Sequence, residues 1–297
     1  MSKQPIFVGA GVALVTPFLD SGEVDYSRLE ELTETQIAGG SDALIVCGTT
    51  GEASTLTEEE QAEIIRRTVY KVAGRVPVIA GCGSNDTARA CRLARQAEAA
   101  GADGGLVVTP YYNKTTQEGL IRHYWTVAAS TALPLILYNV PSRTGVGIHP
   151  ETYAVLAETE NIVAVKEASG DLAAVARTVR LCGENLVVYS GDDALITPML
   201  SLGAMGVISV ASNIVPDRVH TVCMKFFEGD VKGSARAQIG LMDLIDALFC
   251  EVNPIPVKAA LALMGRSVGS CRLPLCELSE TNRERLRQVL CRYALCS

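Results

Sequence analysis

Eight short apolar runs, each closed by turn or small residues, alternate with amphipathic stretches along most of the 297-residue chain. That alternation predicts an α/β fold, a (β/α)8 TIM barrel, for which about 250 residues is the usual size. The runs are rich in Val, Ile and Leu throughout, the pattern of parallel strands covered on both faces. An open doubly wound sheet would carry a Gly-rich phosphate loop after the first strand, and "VTPFLDSGEVD" is no such fingerprint.

The expected strands are "VALVTPF", "DALIVCG", "VPVIAG", "GLVVTP", "LPLILYN", "IVAVKE", "LVVYSG" and "MGVISV". Helices fall between them and carry their own start and stop signals. Thr57 to Glu60 and Thr115 to Glu118 fit capping boxes. Gly39, Gly101 and Gly183 sit where helix C-caps belong, and Pro150 suits a first helical position. Beyond Gly229 the strand signal stops. "VKGSARAQIGLMDLIDALFC", "PVKAALALMG" and "TNRERLRQVLCRYALC" read as helices, the last opened by a capping box from Thr281 to Glu284. The expected organisation is therefore a barrel over residues 1–229 and a C-terminal helical appendage over residues 230–297.

Composition narrows the function. Hydrophobic residues make up 48% and charged residues 20%, which allows a sizeable core and argues against disorder. A net charge of −7 with no basic stripe leaves nothing to neutralise nucleic-acid phosphates. The apolar stretch from Ile6 to Phe18 is too short to span a membrane, is broken by glycines and Pro17, and reads as a strand. The ten cysteines are scattered in apolar patterns with no CxxC, and His123, His149 and His220 have no metal-like spacing to them. A reduced cytoplasmic protein without a metal site is the plain reading.

In a barrel the reacting groups come from the C-terminal ends of the strands. Those ends read Thr16-Pro17, "CGTTGE", "GCGSND", "TPYYNK", "YNVPSRTG", "KEASGD", "SGDD" and "ISVASN". Apart from Lys114, out in the loop at the end of "TPYYNK", Lys166 is the only lysine among them. An ordinary lysine amine is neutral in about one molecule in a few thousand at pH 7, and burial disfavours the cation. A neutral amine there is the nucleophile that forms a Schiff base with a carbonyl substrate. The rival reading has Lys166 snorkel to water or pair with Glu167, although strand parity sends neighbouring side chains to opposite faces. Tyr138 can relay protons or simply sit at the rim. Thr49 and Thr50 can hold a carboxylate or merely make a turn, and Arg143 can fork onto a carboxylate or face solvent.

"GTTGE", "TPYYN", "YNVPSRTG", "VAVKEASGD" and "NPIPVK", in this order and over essentially the whole chain, resemble the dihydrodipicolinate synthase family of lysine-dependent aldolases. The resemblance implies that Lys166 is the Schiff-base lysine and that Tyr138, Thr49 and Tyr112 form a proton-relay triad. It implies that Tyr112 reaches into a neighbouring subunit's site. Thr50 matches a pyruvate-carboxylate binder, Arg143 the receiver of the aldehyde's carboxylate, and Gly191 and Ile208 the backbone lining of the lysine pocket. The implied substrates are pyruvate and L-aspartate 4-semialdehyde, in a homotetramer built as a dimer of dimers, with no metal or organic cofactor.

At the positions of the family's lysine-effector pocket, Asn85 and Tyr111 match. Glu58 and Gln61 replace histidines and Arg89 replaces a glutamate, which predicts weak or absent feedback by lysine. The nearest alternative is N-acetylneuraminate lyase or another 2-oxo acid aldolase on the same barrel, which tends to read "GSTGE" and to lack the arginine after "NVP". A pyridoxal phosphate enzyme would need a phosphate cradle, which is not evident. A non-catalytic barrel used for binding is the remaining alternative.

Overall fold

The computed structural model describes residues 2–296. Eight parallel strands close into a barrel in sequence order: β1 (Gly9–Ala13), β2 (Ala43–Val46), β3 (Val78–Gly81), β4 (Gly104–Val108), β5 (Leu135–Asn139), β6 (Ile162–Glu167), β7 (Val187–Ser190) and β8 (Gly206–Ser209). The predicted barrel is therefore present, with seven of the eight runs where the sequence placed them.

The first run is the exception. It was expected over residues 12–18, but the strand spans Gly9–Ala13 and the chain from Leu14 onward already belongs to the mouth. Gly9 and Gly11, which precede that run, stand where the neighbouring strand comes closest. A Cβ on Gly9 would lie 2.1 Å from the Asp42 carboxylate, and one on Gly11 would lie 2.7 Å from Ile45. This shift puts Thr16 above the barrel, where its hydroxyl donates to the Gly51 carbonyl at 2.7 Å.

Around the barrel lie α1 (Tyr26–Ala38), α2 (Glu58–Val72), α3 (Thr87–Ala99), α4 (Gln117–Ala128), α5 (Pro141–Thr144), α6 (Pro150–Leu156), α7 (Leu172–Cys182), α8 (Ile196–Ser201) and α9 (Pro216–Phe227). Thr57 and Glu60 form the expected capping box of α2, and Pro150 opens α6. The box expected from Thr115 to Glu118 is absent: Thr116 caps α4 by accepting from the Gly119 amide at 3.2 Å. Gly39 and Gly183 are C-caps, whereas Gly101 follows the C-cap Ala100.

Beyond Gly229 come α10 (Val231–Ile239), α11 (Met242–Leu248), α12 (Ile255–Leu263) and α13 (Glu280–Arg292). The long stretch expected as one helix divides at Gly240 and Leu241. The box expected from Thr281 to Glu284 is also absent. Ser279 is the N-cap of α13, and its hydroxyl goes to Glu251 at 2.6 Å.

Two apolar cores result. The inner one fills the barrel with Ile45, Ile79, Leu106, Ile136, Ala164 and Tyr189 among others. The outer one lies between strands and helices and includes Leu244, Val257 and Leu286 from the C-terminal helices. Most of the inner positions are apolar. At the top of β5 and β6, however, the inward positions are Tyr138 and Lys166, paired across the strands.

Candidate active site

Strand parity decides where the Lys166 side chain goes. Tyr138 pairs with Lys166 and Asn139 with Glu167, so the first pair faces into the barrel and the second faces out. Lys166 is 6% exposed. Its Nζ lies 4.4 Å from the centre of the Tyr138 ring, and no hydrogen bond or ion pair engages it among the described residues. The pairing of Lys166 with Glu167 that the sequence left open does not occur.

Glu167 is occupied on the other side. Its carboxylate accepts from Asn139 Nδ2 at 3.0 Å, Tyr153 Oη at 2.9 Å and the Ser169 amide at 2.8 Å. Burial, and then the carboxylate beside it, pushes the Tyr153 phenol well above its ordinary value, which keeps it a donor. The Glu167 carbonyl accepts from Gly191 N at 2.8 Å. The outward residues thus lock the ends of β5, β6 and β7 together, and the inward ones are left free to react.

A cavity of about 380 Å³ opens above the barrel on Lys166, Tyr138, Thr49, Thr50, Arg143 and Gly191. Six of the residues singled out in the sequence are thereby brought together. Gly191 has a steric reason to lack a side chain: a Cβ there would sit 3.1 Å from both Cγ and Cε of Lys166. Ile208 lies on β8 with 1% exposure, in the inner core rather than on the cavity wall. Tyr112 lies elsewhere, 90% exposed and with a φ of 69° that turns the chain sharply after β4.

A second cavity of about 320 Å³ adjoins the first, sharing Thr49, Tyr138, Val140 and Arg143 with it, and contains Gln61, Arg89 and Tyr111. Arg89 pairs with Glu58 at 3.3 Å, and Arg92 reaches the same carboxylate at 3.5 Å. Cys47 lines this cavity, but burial pushes its thiol up and away from the reactive thiolate. Among the described residues no group of three or more His, Cys, Asp or Glu is placed to hold a metal ion, and no helix is long and apolar enough to cross a membrane.

Several residues that shape the mouth had no role in the sequence reading. Asn253 is 5% exposed and lines the Lys166 cavity. Its Nδ2 donates to Thr50 Oγ1 at 2.9 Å, and its carbonyl accepts from Arg143 Nη2 at 3.2 Å. Lys258 makes a buried ion pair with Glu52 at 2.7 Å, just past the two threonines. Glu52 also accepts from the Arg272 amide at 2.9 Å. Both Asn253 and Lys258 fall within "NPIPVK", so the motif itself was the available signal.

The comparisons with known proteins bear on the family and the fold. The model of the Dihydrodipicolinate synthetase family matches residues 6–292. A 4-hydroxy-tetrahydrodipicolinate synthase of Acetivibrio thermocellus is 53% identical over 293 residues, covering 99% of each chain. The crystal structure of dihydrodipicolinate synthase from Thermotoga maritima superposes with a TM-score of 0.96 at 45% identity, covering 98% of this chain and 100% of that one. The enzyme from Cyanidioschyzon merolae, solved with lysine bound, gives 0.95 at 44% identity, covering 98% and 100%. Sequence identity and backbone both extend over nearly the full length, and the chain belongs to the dihydrodipicolinate synthetase family.

Proposed function

We propose that this chain condenses pyruvate with L-aspartate 4-semialdehyde to give 4-hydroxy-tetrahydrodipicolinate, in the diaminopimelate route to lysine. The observation that carries the reading is Lys166, buried at the barrel mouth beside Tyr138 and bound by no carboxylate among the described residues. The full-length relatives named 4-hydroxy-tetrahydrodipicolinate synthase support it.

The free amine of Lys166 attacks the keto carbon of pyruvate, and the carbinolamine loses water to form an iminium. The iminium draws electrons from the neighbouring methyl group, which gives up a proton and becomes an enamine. The enamine carbon adds to the aldehyde, whose oxygen takes a proton and becomes the 4-hydroxyl. The amine of the former aldehyde substrate then attacks the imine carbon and expels Lys166, closing the ring. Every electron pair is accounted for by the lysine and the two substrates, so the scheme uses no metal or organic cofactor.

Tyr138 stands beside the amine and, with Thr49, is assigned to carry protons to and from the carbinolamine. Thr50 is assigned to pyruvate's carboxylate, and Arg143, whose guanidinium reaches the cavity edge, to the carboxylate of the aldehyde. Gly191 lines the lysine's side of the pocket, and Ile208 is assigned only a backbone role from the inner core beside it. Tyr112 is the third member of the relay and acts in a neighbouring subunit, a role supported by its exposure and by its not lining either cavity of its own chain. The assembly we propose is a homotetramer, a dimer of dimers, in the cytoplasm.

The test is to incubate the protein with pyruvate and borohydride and locate the added mass by peptide mapping. Modification confined to Lys166 is expected, and an unmodified Lys166 overturns the reading. Assays with aspartate semialdehyde and sialic acid side by side separate this activity from that of a lyase on the same barrel.

A further inference from the structure

Thr50 and Arg143 stand on different strands' loops, yet one residue touches both. Asn253, just ahead of α12, donates through Nδ2 to Thr50 Oγ1 at 2.9 Å and accepts through its backbone carbonyl from Arg143 Nη2 at 3.2 Å. Thr50 is itself only 3% exposed, so water has little access to that hydroxyl. A hydroxyl has one proton to give and lone pairs to share. With an amide N–H already pointing at its oxygen, Thr50 directs its own proton elsewhere. Thr50 lines the cavity that holds Lys166, which offers that proton an acceptor when an anion is bound. An anionic ligand there meets a hydroxyl already set as a donor, and hydrogen bonds polarised in series strengthen one another.

The segment carrying Asn253 is itself tied down. Lys258, on the first turns of α12, pairs with Glu52 at 2.7 Å and donates to the Ser270 carbonyl at 3.1 Å. Glu52 follows Thr50 by two residues in the same turn, so the two segments are joined at both ends of the contact. The Asn253 Oδ1 atom is buried and has no partner among the described residues. Only the Nδ2 side of the amide is engaged, and it is engaged by Thr50.

We propose that Asn253 is a positioning residue: its side chain sets the Thr50 hydroxyl as a hydrogen-bond donor to the carboxylate of the keto acid, while its backbone carbonyl independently anchors Arg143 for the second substrate. The inference rests on the proposed roles of Thr50 and Arg143 and assigns a reason to the C-terminal helices being part of the site.

The two contacts use different atoms, so substitution separates them. Asn253→Ala deletes the amide but keeps the carbonyl. The expected result is a rise of about tenfold in KM for pyruvate, the scale of a lost hydrogen bond to a charged group, with KM for the aldehyde within about twofold of wild type. Asn253→Asp, isosteric with the native residue, accepts the Thr50 proton and places a charge near the carboxylate, so its pyruvate KM rises further. Thr50→Val gives the same defect as Asn253→Ala, and the double variant Thr50→Val/Asn253→Ala is no worse than Thr50→Val alone.

An unchanged pyruvate KM in both Asn253 variants overturns the proposal. So does a double variant whose losses multiply, or a parallel rise in both KM values with a lowered melting temperature, the pattern of a merely structural role. If Asn253→Ala does not fold, Asn253→Leu, uncharged and of similar size, takes its place in the single- and double-variant comparisons. Pyruvate and borohydride on the wild-type protein keep the two readings apart. Trapping on Lys166 together with an unchanged pyruvate KM in the variants sinks the positioning role alone, and absence of trapping sinks the underlying activity.

Discussion

The chain buries two lysines to nearly the same depth, Lys166 with 6% exposure and Lys258 with 4%, and treats them oppositely. Lys258 has a carboxylate at 2.7 Å, a carbonyl at 3.1 Å and the Phe18 ring 4.3 Å from its Nζ. Among the described residues Lys166 has only the face of Tyr138 at 4.4 Å, above a cavity large enough for a small acid. Depth of burial therefore does not identify a reactive amine. What separates the two is whether the surrounding groups have already used the three N–H donors. Lys258 is satisfied and holds two segments together, whereas Lys166 is unsatisfied and open to a ligand.

The largest effect that could break this comparison is at Lys166 itself. Lys166→Met is expected to lower turnover by about 10⁴-fold or more, the scale seen when a nucleophile is removed, and to leave the melting temperature unchanged or raised. Lys258→Met should do the reverse. It leaves Glu52 buried without its cation, which costs about 3–5 kcal/mol in urea denaturation. Glu52→Gln combined with Lys258→Met should recover part of that loss. If Lys258→Met proves as stable as wild type, the contrast between the two lysines is wrong.

Tyr138→Phe comes next. It keeps the ring beside Lys166 and removes only the hydroxyl, so kcat should fall about 10²-fold while borohydride trapping of pyruvate persists slowly. Glu167→Gln sharpens the comparison on the outward face of β6. It puts an amide among three donors and should cost about 1–3 kcal/mol of stability, measured by the denaturation midpoint. The smallest effect concerns free lysine. Arg89 and Glu58 already pair beside Tyr111, so millimolar lysine should change the rate by less than about twofold. Cooperative inhibition in the low micromolar range would overturn this.

Much of the barrel was legible because parallel strands buried on both faces must be apolar along their whole length, and seven of the runs sit where those residues are. β1 was misplaced because Gly9 and Gly11 fall outside the apolar run, and their reason, the close approach of Asp42 and Ile45, is a contact with the neighbouring strand. Two helix starts were missed because Thr115 and Thr281 have a Glu three residues on, whereas the actual N-caps, Thr116 and Ser279, have Gly119 and Asn282 there and make no capping box. At the site, parity alone predicted that Lys166 and Glu167 would part. The partners of Thr50 and Glu52 could not be read locally, since Asn253 and Lys258 lie more than 200 residues away in the chain. The second of the two cavities, and the wall it shares with the first, likewise come only from the folded molecule.

Gly191 has a consequence for how the enzyme could be altered. A methyl group there would meet the Ala168 Cβ at 2.7 Å and the Cγ and Cε of Lys166 at 3.1 Å, so any larger residue would crowd both neighbours. Reach of the amine across the mouth is thus governed from the neighbouring strand by a single hydrogen atom. Alanine at this position would act as a wedge against Ala168 and the lysine tail together, disturbing the nucleophile without altering any group that does chemistry.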